Sequence, residues 1–239
     1  VAEAIEDEFP DAYIDTFAYT YTRKPPKHIR PRDNVIIRLC SIECDFSKPL
    51  SDKTSMENRA FQKDIKAWQR ITKNLFVWDY TQNWWCHQQP HPNFHVFQPN
   101  AKFYAEHGVD GLFEQSSPSS PHSDYEYLKG YLLAKSVWNP DIDWRVCYDE
   151  FLDLYYGKVA PYIREYHQLI TDKVRKDNYV LTFASRMEWM DYDTVEAAQT
   201  IFAEAFAQLN EKDAALRERL NYAYLPVQYA ALVAYPRIE

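Results

Sequence analysis

The sequence predicts an α/β fold: the C-terminal half of a (β/α)8 barrel of TIM type over residues 1–140, then a helical region over residues 141–239. Three observations predict it. Four short stretches rich in β-branched and aromatic residues have the length of buried strands. Helical patterns separate most of them, and alternating strands and helices build a parallel sheet through right-handed crossovers. After Trp138 no stretch reads as a strand. Four βα units are half of a barrel whose full length is typically about 250 residues. The competing doubly wound sheet usually carries a glycine-rich phosphate turn. This chain has four glycines, Gly108, Gly111, Gly130 and Gly157, and none forms GxGxxG or a P-loop.

The elements follow in order. Residues 1–9 (VAEAIEDEF) read as the last turns of a helix that begins upstream, stopped at Pro10-Asp11. The strands are 12–19 (AYIDTFAY), 34–42 (NVIIRLCSI), 75–80 (LFVWDY) and 109–115 (VDGLFEQ). Pro25, Pro26 and Pro31 leave no room for a normal helix between the first two. Residues 54–71 form a helix, with Phe61, Ile65 and Trp68 on one face and a capping box of Thr54 with Glu57. Residues 99–107 form a short helix ended by Gly108, and 123–138 a longer one, boxed by Ser123 and Glu126. Residues 143–156, 159–175, 193–209 and 212–233 complete the helices, with Asp193 and Glu196 as a third cap.

Composition narrows the function. Of 239 residues, 46% are hydrophobic, enough for a sizeable core. The net charge of -8 with scattered Lys and Arg argues against a nucleic-acid surface, which needs a basic face. No apolar run approaches the roughly 18 residues of a membrane span. Aromatic residues reach 16%, which suits a core and also flat ligand faces such as those that meet sugar rings. Cys40, Cys44, Cys86 and Cys147 match no zinc spacing and read as buried thiols, with a loop-to-loop disulfide as the alternative. No motif asks for a cofactor.

In a parallel barrel, chemistry gathers where strands end and βα loops begin. Those positions hold Tyr19 and Tyr21; Cys40, Ser41, Glu43 and Asp45; Trp78, Asp79, Tyr80, Gln82, Asn83 and Trp84; and Glu114, Gln115 and Ser116. A phosphate site would want Arg, Lys or glycine-rich backbone. A sugar site wants indoles for ring faces and carboxylates or amides for hydroxyl pairs. Glycoside hydrolysis typically uses two carboxyl groups, or one acid with a substrate acetamide. Asp79 and Glu114, at the ends of neighbouring strands, are the catalytic candidates. Tyr19, Tyr21, Glu43, Trp78, Tyr80, Asn83, Trp84 and Gln115 are the substrate-binding candidates. Plainer readings stand beside these. Asp79 could cap the next helix or hold a loop through backbone N–H groups, Glu114 could pair with Arg38 or another barrel cation, and Glu43 could be a surface residue beside Lys48.

His87, His91 and His95 are spaced by four, but Pro90 and Pro92 forbid a helix there, so they read as loop residues over the mouth and no metal is expected. The SSPSSP run from Ser116 to Pro121 lacks a nucleophile elbow and reads as a solvated turn.

Five blocks, in this order, resemble one family: PPKHIRPRDNVIIRLCSIECDFSKPL, FVWDYTQNWW, HPNFHVFQPNAKFYAEHGVDGLFEQ, LKGYLLAKSVWNPDID and DEFLDLYYGKVAPYI. The family is the one catalogued as domain of unknown function 4838, overlapping glycoside hydrolase family 163, and the resemblance covers roughly residues 10–170. It implies a (β/α)8 barrel in secreted, periplasmic or cell-surface proteins of glycan-degrading bacteria. It also implies an endo-β-N-acetylglucosaminidase acting on complex N-glycans, with the substrate N-acetyl group as nucleophile. The family's acid and its acetamide-orienting partner are expected near the end of the fourth strand. Since 12–19 resembles the fifth strand, that pair is expected upstream of Val1. Tyr19, Trp78, Asp79, Tyr80, Glu114 and Gln115 are the residues at matching strand ends.

The leading expectation is therefore part of a glycoside hydrolase acting on N-acetylglucosamine-containing glycans, inactive as this chain alone. The alternative is a non-catalytic glycan-binding or scaffold module. A half barrel has two open sheet edges, so the expected partners are a carbohydrate and either the barrel's other half or a second copy.

Overall fold

The computed structural model describes residues 1–117 and 122–234. Ser119 and Ser120 of the expected solvated turn lie outside the described residues.

Four strands, β1 (Ile14–Ala18), β2 (Val35–Cys40), β3 (Asn74–Tyr80) and β4 (Gly111–Gln115), form one parallel sheet in the order β1-β2-β3-β4. A short helix, α1 (Ala2–Ile5), precedes them. Helices α2 (Met56–Gln69) and α3 (Phe97–Glu106) make the second and third of the three crossovers. After β4 come α4 (Glu126–Trp138), α5 (Trp144–Tyr156), α6 (Ala160–Lys176), α7 (Tyr192–Ala207) and α8 (Ala214–Ala234). No described helix is long and apolar enough to cross a membrane.

Strand alternation gives the sheet two unlike faces. Register aligns Ala18, Leu39, Val77 and Leu112 in one row, and the first three are buried. Phe61, Ile65 and Trp68 of α2 and Phe103 and Tyr104 of α3 join them in the core. Phe61 and Tyr104 meet edge to face at 6.5 Å, so both crossover helices cover this same face. The opposite face carries Phe17, Arg38, Phe76 and Gly111 in one row and Cys40, Trp78 and Phe113 in the next. Much of it is open: Phe17 is 53% exposed and Phe113 43%. Sequential strand order with crossovers on one face contains no reversal of direction, the feature that defines a doubly wound sheet.

The core runs without a break from Ala18 to Ala231, so the helical region shares it with the sheet. One contact explains how. The segment between α6 and α7 folds over the C-terminal ends of β2 and β3. Phe46 N–H donates to Leu181 O at 2.7 Å and Trp84 N–H to Phe183 O at 2.8 Å. The Phe183 ring meets Tyr80 edge to face at 4.8 Å and stacks on Trp84 at 5.7 Å.

Three expected caps shift by a residue or two. Ser55, not Thr54, caps α2, its hydroxyl accepting from Asn58 N–H at 3.2 Å, because Thr54 is held by Asp52 Oδ1 at 2.6 Å. Asp191, not Asp193, caps α7 by accepting from Thr194 N–H at 3.0 Å. Helix α4 starts from Tyr125 in the left-handed region at φ 48°, so the Ser123 hydroxyl meets Glu126 Oε2 at 3.2 Å without capping. All four cysteines are free thiols, and burial pushes that of Cys40 up to about 11.

Candidate functional site

Two groups of polar and aromatic side chains mark the C-terminal ends of the strands, one on each face. On the open face, Phe17, Trp78 and Phe113 make a row of rings across β1, β3 and β4, with centroids 5.3 and 4.3 Å apart. Trp78 Nε1–H donates to Gln115 Oε1 at 2.6 Å. That bond leaves the Gln115 NH2 as a donor beside the indole. Below the rings, Arg38 pairs with Asp15 and lies over Phe76, 5.5 Å from its centroid. Tyr19 is partly exposed beyond β1, and Tyr21, in the turn Thr20–Thr22, is 94% exposed.

On the covered face the row beyond Val77 is polar. Register places Asp79 opposite Glu114, and the ladder continues past β2 as Ser41 N–H donates to Trp78 O at 3.1 Å. Asp79 is buried and its carboxylate accepts three hydrogen bonds: from the Ser41 hydroxyl, from Tyr104 OH of α3 at 2.7 Å and from Tyr80 N–H at 2.9 Å. Burial raises its pKa and these bonds oppose the rise. Glu114 is half-buried. Burial first and the neighbouring Asp79 charge second push its pKa well above the usual carboxylate range. Two adjacent carboxyls in a covered layer do not both ionise cheaply, so the pair keeps a proton to higher pH than separate carboxyls would.

The candidate residues therefore divide. Trp78, Gln115 and Tyr19 meet the open side, and Tyr21 projects beyond it. Asp79 and Glu114 are brought together, but on the side of α3 and away from the rings, because they share the strand phase of Leu75, Val77 and Leu112. Glu114 does not pair with Arg38, which Asp15 takes. Asn83, expected to bind substrate, is fully buried: its Oδ1 accepts from Trp85 N–H at 2.9 Å and Cys86 N–H at 3.1 Å, and its Nδ2 donates to Ser185 O at 2.8 Å. Its amide is consumed in fastening the overlying segment to the β3 loop. Tyr80 is buried under Phe46 and Phe183. Trp84 stacks on Phe183, and Trp85 is the exposed indole of this loop, with Arg186 4.7 Å from its ring. Glu43 is an exposed residue whose partner is Arg23 rather than Lys48; Arg23 Nε also donates to Asp64 at 2.7 Å.

The three loop histidines do separate work. His87 Nδ1 meets Ser117 Oγ at 3.2 Å, and His95 Nε2 meets Ser47 O at 3.0 Å. His91 is buried with no partner at either ring nitrogen. Among the described residues, no group of three or more His, Cys, Asp or Glu side chains is placed to hold a metal ion.

The sequence reading missed Lys129. It is fully buried, 2.7 Å from Asp124, and also donates to Gln82 Oε1 and His91 O, each at 3.1 Å. Its helical spacing with Leu132 and Leu133 was the available signal, since a Lys in a buried stripe needs a partner.

A family model described as Domain of unknown function (DUF4838) matches residues 1–168. No curated protein matches, and no solved structure matches.

Proposed function

The chain belongs to the DUF4838 family, a domain of unknown function, and from that premise we propose that it is one arc of a (β/α)8 barrel that binds N-acetylglucosamine-containing glycans as part of a glycoside hydrolase. The single observation that carries the reading is the row Phe17–Trp78–Phe113 with Gln115 fixed on the indole. Flat rings suit the C–H face of a pyranose, and the free Gln115 NH2 suits an acetamide or hydroxyl oxygen. Four parallel strands in sequence order, helices over one face and an open opposite face fit an arc whose inner face another part of a barrel would cover. The setting we propose is secreted, periplasmic or at the cell surface.

A second reading, a non-catalytic glycan-binding module, is favoured by a specific observation: Asp79 and Glu114 lie on the covered face, and Asp79 is fully engaged. On either reading this chain binds the glycan, and on the first an acid for hydrolysis comes from outside it.

Titration with chitobiose, followed by calorimetry, tests the shared claim. Saturable binding that weakens in Trp78→Ala supports it, whereas no binding at millimolar sugar rejects it. Glycan release from a complex-type N-glycoprotein, by the chain and by a protein carrying a complete barrel, separates the readings. Release by the latter alone supports the hydrolase, and release by neither supports the binding module.

A further inference from the structure

A groove of about 670 Å³ lies away from the ring row, between the loop after β2, the start of α3, the start of α5 and the end of α6. It opens into a second hollow of about 290 Å³, and His95, Trp144, Arg145 and Arg175 line both. The combined space falls in the range of small-molecule sites.

Its charges are unevenly used. The three carboxylates on its walls are all engaged: Asp141 by Lys102 at 2.8 Å, Asp143 by Arg145 N–H at 2.9 Å, and Asp52 by the Thr54 N–H and hydroxyl, each at 2.6 Å. Of the guanidinium groups, Arg164 in the second hollow is taken by Asp149 and Asp153, but the two that line both hollows are not so engaged. Among the described residues Arg145 makes no ion pair and lies over the Trp144 ring, 4.9 Å from its centroid. Arg175 comes no closer than 4.0 Å to a carboxylate, that of Asp172 on its own helix. In a chain of net charge -8, a groove with two such groups lacks an anion.

The other wall groups add direction. Ser47 O can only accept, so the bond from His95 Nε2 fixes the proton there and leaves Nδ1 as an acceptor. His167, also lining the second hollow, is buried and has no partner at Nε2. Trp144 supplies a half-buried aromatic face.

We propose that this groove binds a carboxylate-bearing sugar, its carboxylate on Arg145 and Arg175, its ring against Trp144 and a hydroxyl on His95 Nδ1. Guanidinium groups suit carboxylates through paired N–H donors, and the indole and imidazole acceptor suit a polyol ring. The carboxylate rests on the groove alone, and the sugar ring rests on the carbohydrate reading above. This is a second site, separate from the Trp78 face.

The test is calorimetric titration of the 239-residue chain with glucuronic acid, glucose, acetate and inorganic phosphate, with Trp144 fluorescence as a second readout. The expected result is saturable glucuronate binding, at least tenfold tighter than glucose or acetate and lost by at least tenfold in both Arg145→Ala and Arg175→Ala. Both arginines are exposed, so these variants keep the fold. Equal binding of phosphate and glucuronate would show a simple anion site and overturn the proposal. Equal binding of glucose would remove the role of the arginines, and no binding of any probe would reject the site. Chitobiose separates this outcome from the other: its binding should weaken in Trp78→Ala and stay unchanged in Arg145→Ala, so either site can fail while the other stands.

Discussion

Asp79 and Glu114 stand side by side on β3 and β4, on the face that α3 covers, and only Asp79 has a full set of donors. The two carboxyls should therefore respond oppositely to amide substitution. Glu114→Gln removes a carboxyl whose ionised form burial and Asp79 disfavour, and with it the cost of protonating that group on folding. It should stabilise the fold at pH 7 by about 1–3 kcal/mol, the scale of one poorly matched buried polar group. A raised folded pKa contributes stability below the ordinary Glu value, lost as pH rises through the folded value. The gain from Glu114→Gln should thus vanish below a pH of about 4.3. Asp79→Asn turns one acceptor oxygen into an NH2 that meets either the Tyr104 hydroxyl or the Ser41 and Tyr80 donors, and should cost about 1–3 kcal/mol at pH 7. Urea melts at both pH values read the two effects, and equal signs would refute the assignment.

Trp78→Ala should weaken chitobiose binding by about tenfold, the scale of one aromatic stacking contact. Gln115→Ala removes the partner of the indole N–H and the free NH2 together. It should weaken binding to a similar degree with the melting temperature unchanged within about 2 °C, since the site is only half-buried. Glu43→Ala should leave binding intact, because Glu43 pairs with Arg23.

Gly111 and Phe76 lie opposite one another across β3 and β4. A Cβ on Gly111 would stand 2.4 Å from the Phe76 ring, so Gly111→Ala must push that ring aside. The open face should absorb this at about 1–3 kcal/mol, as overpacking typically costs. Gly111→Ala with Phe76→Leu should recover most of it. A double variant no better than the single one would place the strain elsewhere.

Strand existence was legible because Ile36, Ile37, Leu75, Phe76 and Val77 are apolar runs of strand length. Which face the helices cover was not. Both faces of β3 carry large apolar groups, Leu75 and Val77 on one and Phe76 and Trp78 on the other, so alternation gave two phases without naming the outer one. That is why Asp79 could be read toward a ligand when it bonds to Tyr104 of α3. The strand-end inventory had no means of finding the 177–191 segment over the strand ends. Its contacts to Phe46, Asn83 and Trp84 join residues about a hundred or more positions apart and follow no local periodicity.

Lys129 and Asp124 form an ion pair without solvent, and Asp124 Oδ1 has no partner. Burial lowers the Lys129 pKa while Asp124 holds it up. Lys129→Met should destabilise by about 3–5 kcal/mol, because Asp124 is left as an uncompensated buried charge. The Lys129→Met, Asp124→Leu pair should cost less than either single change. If all three cost the same, the lysine's bonds to Gln82 and His91 outweigh the charge pairing.

Acid should loosen the fold through its histidines. Burial lowers the pKa of His87, His91 and His167, and brings His95 down to about 4; Lys129 adds to the effect at His91 and His167. Each is neutral when folded and takes a proton on unfolding below its ordinary value of about 6.5. Stability is therefore fully present above that value and lost as pH falls through the window to about 4. Glu114 and Asp79 act the other way in the same window, since their raised pKa values favour the folded state at low pH. Glu114→Gln removes one opposing slope, so its acid loss between pH 6.5 and 4.5 should be steeper than that of the unaltered chain. His91→Leu should make the loss shallower, because a buried imidazole with neither nitrogen bonded no longer titrates. Urea midpoints across that range measure both slopes, and identical slopes in all three proteins would place the acid sensitivity outside these residues.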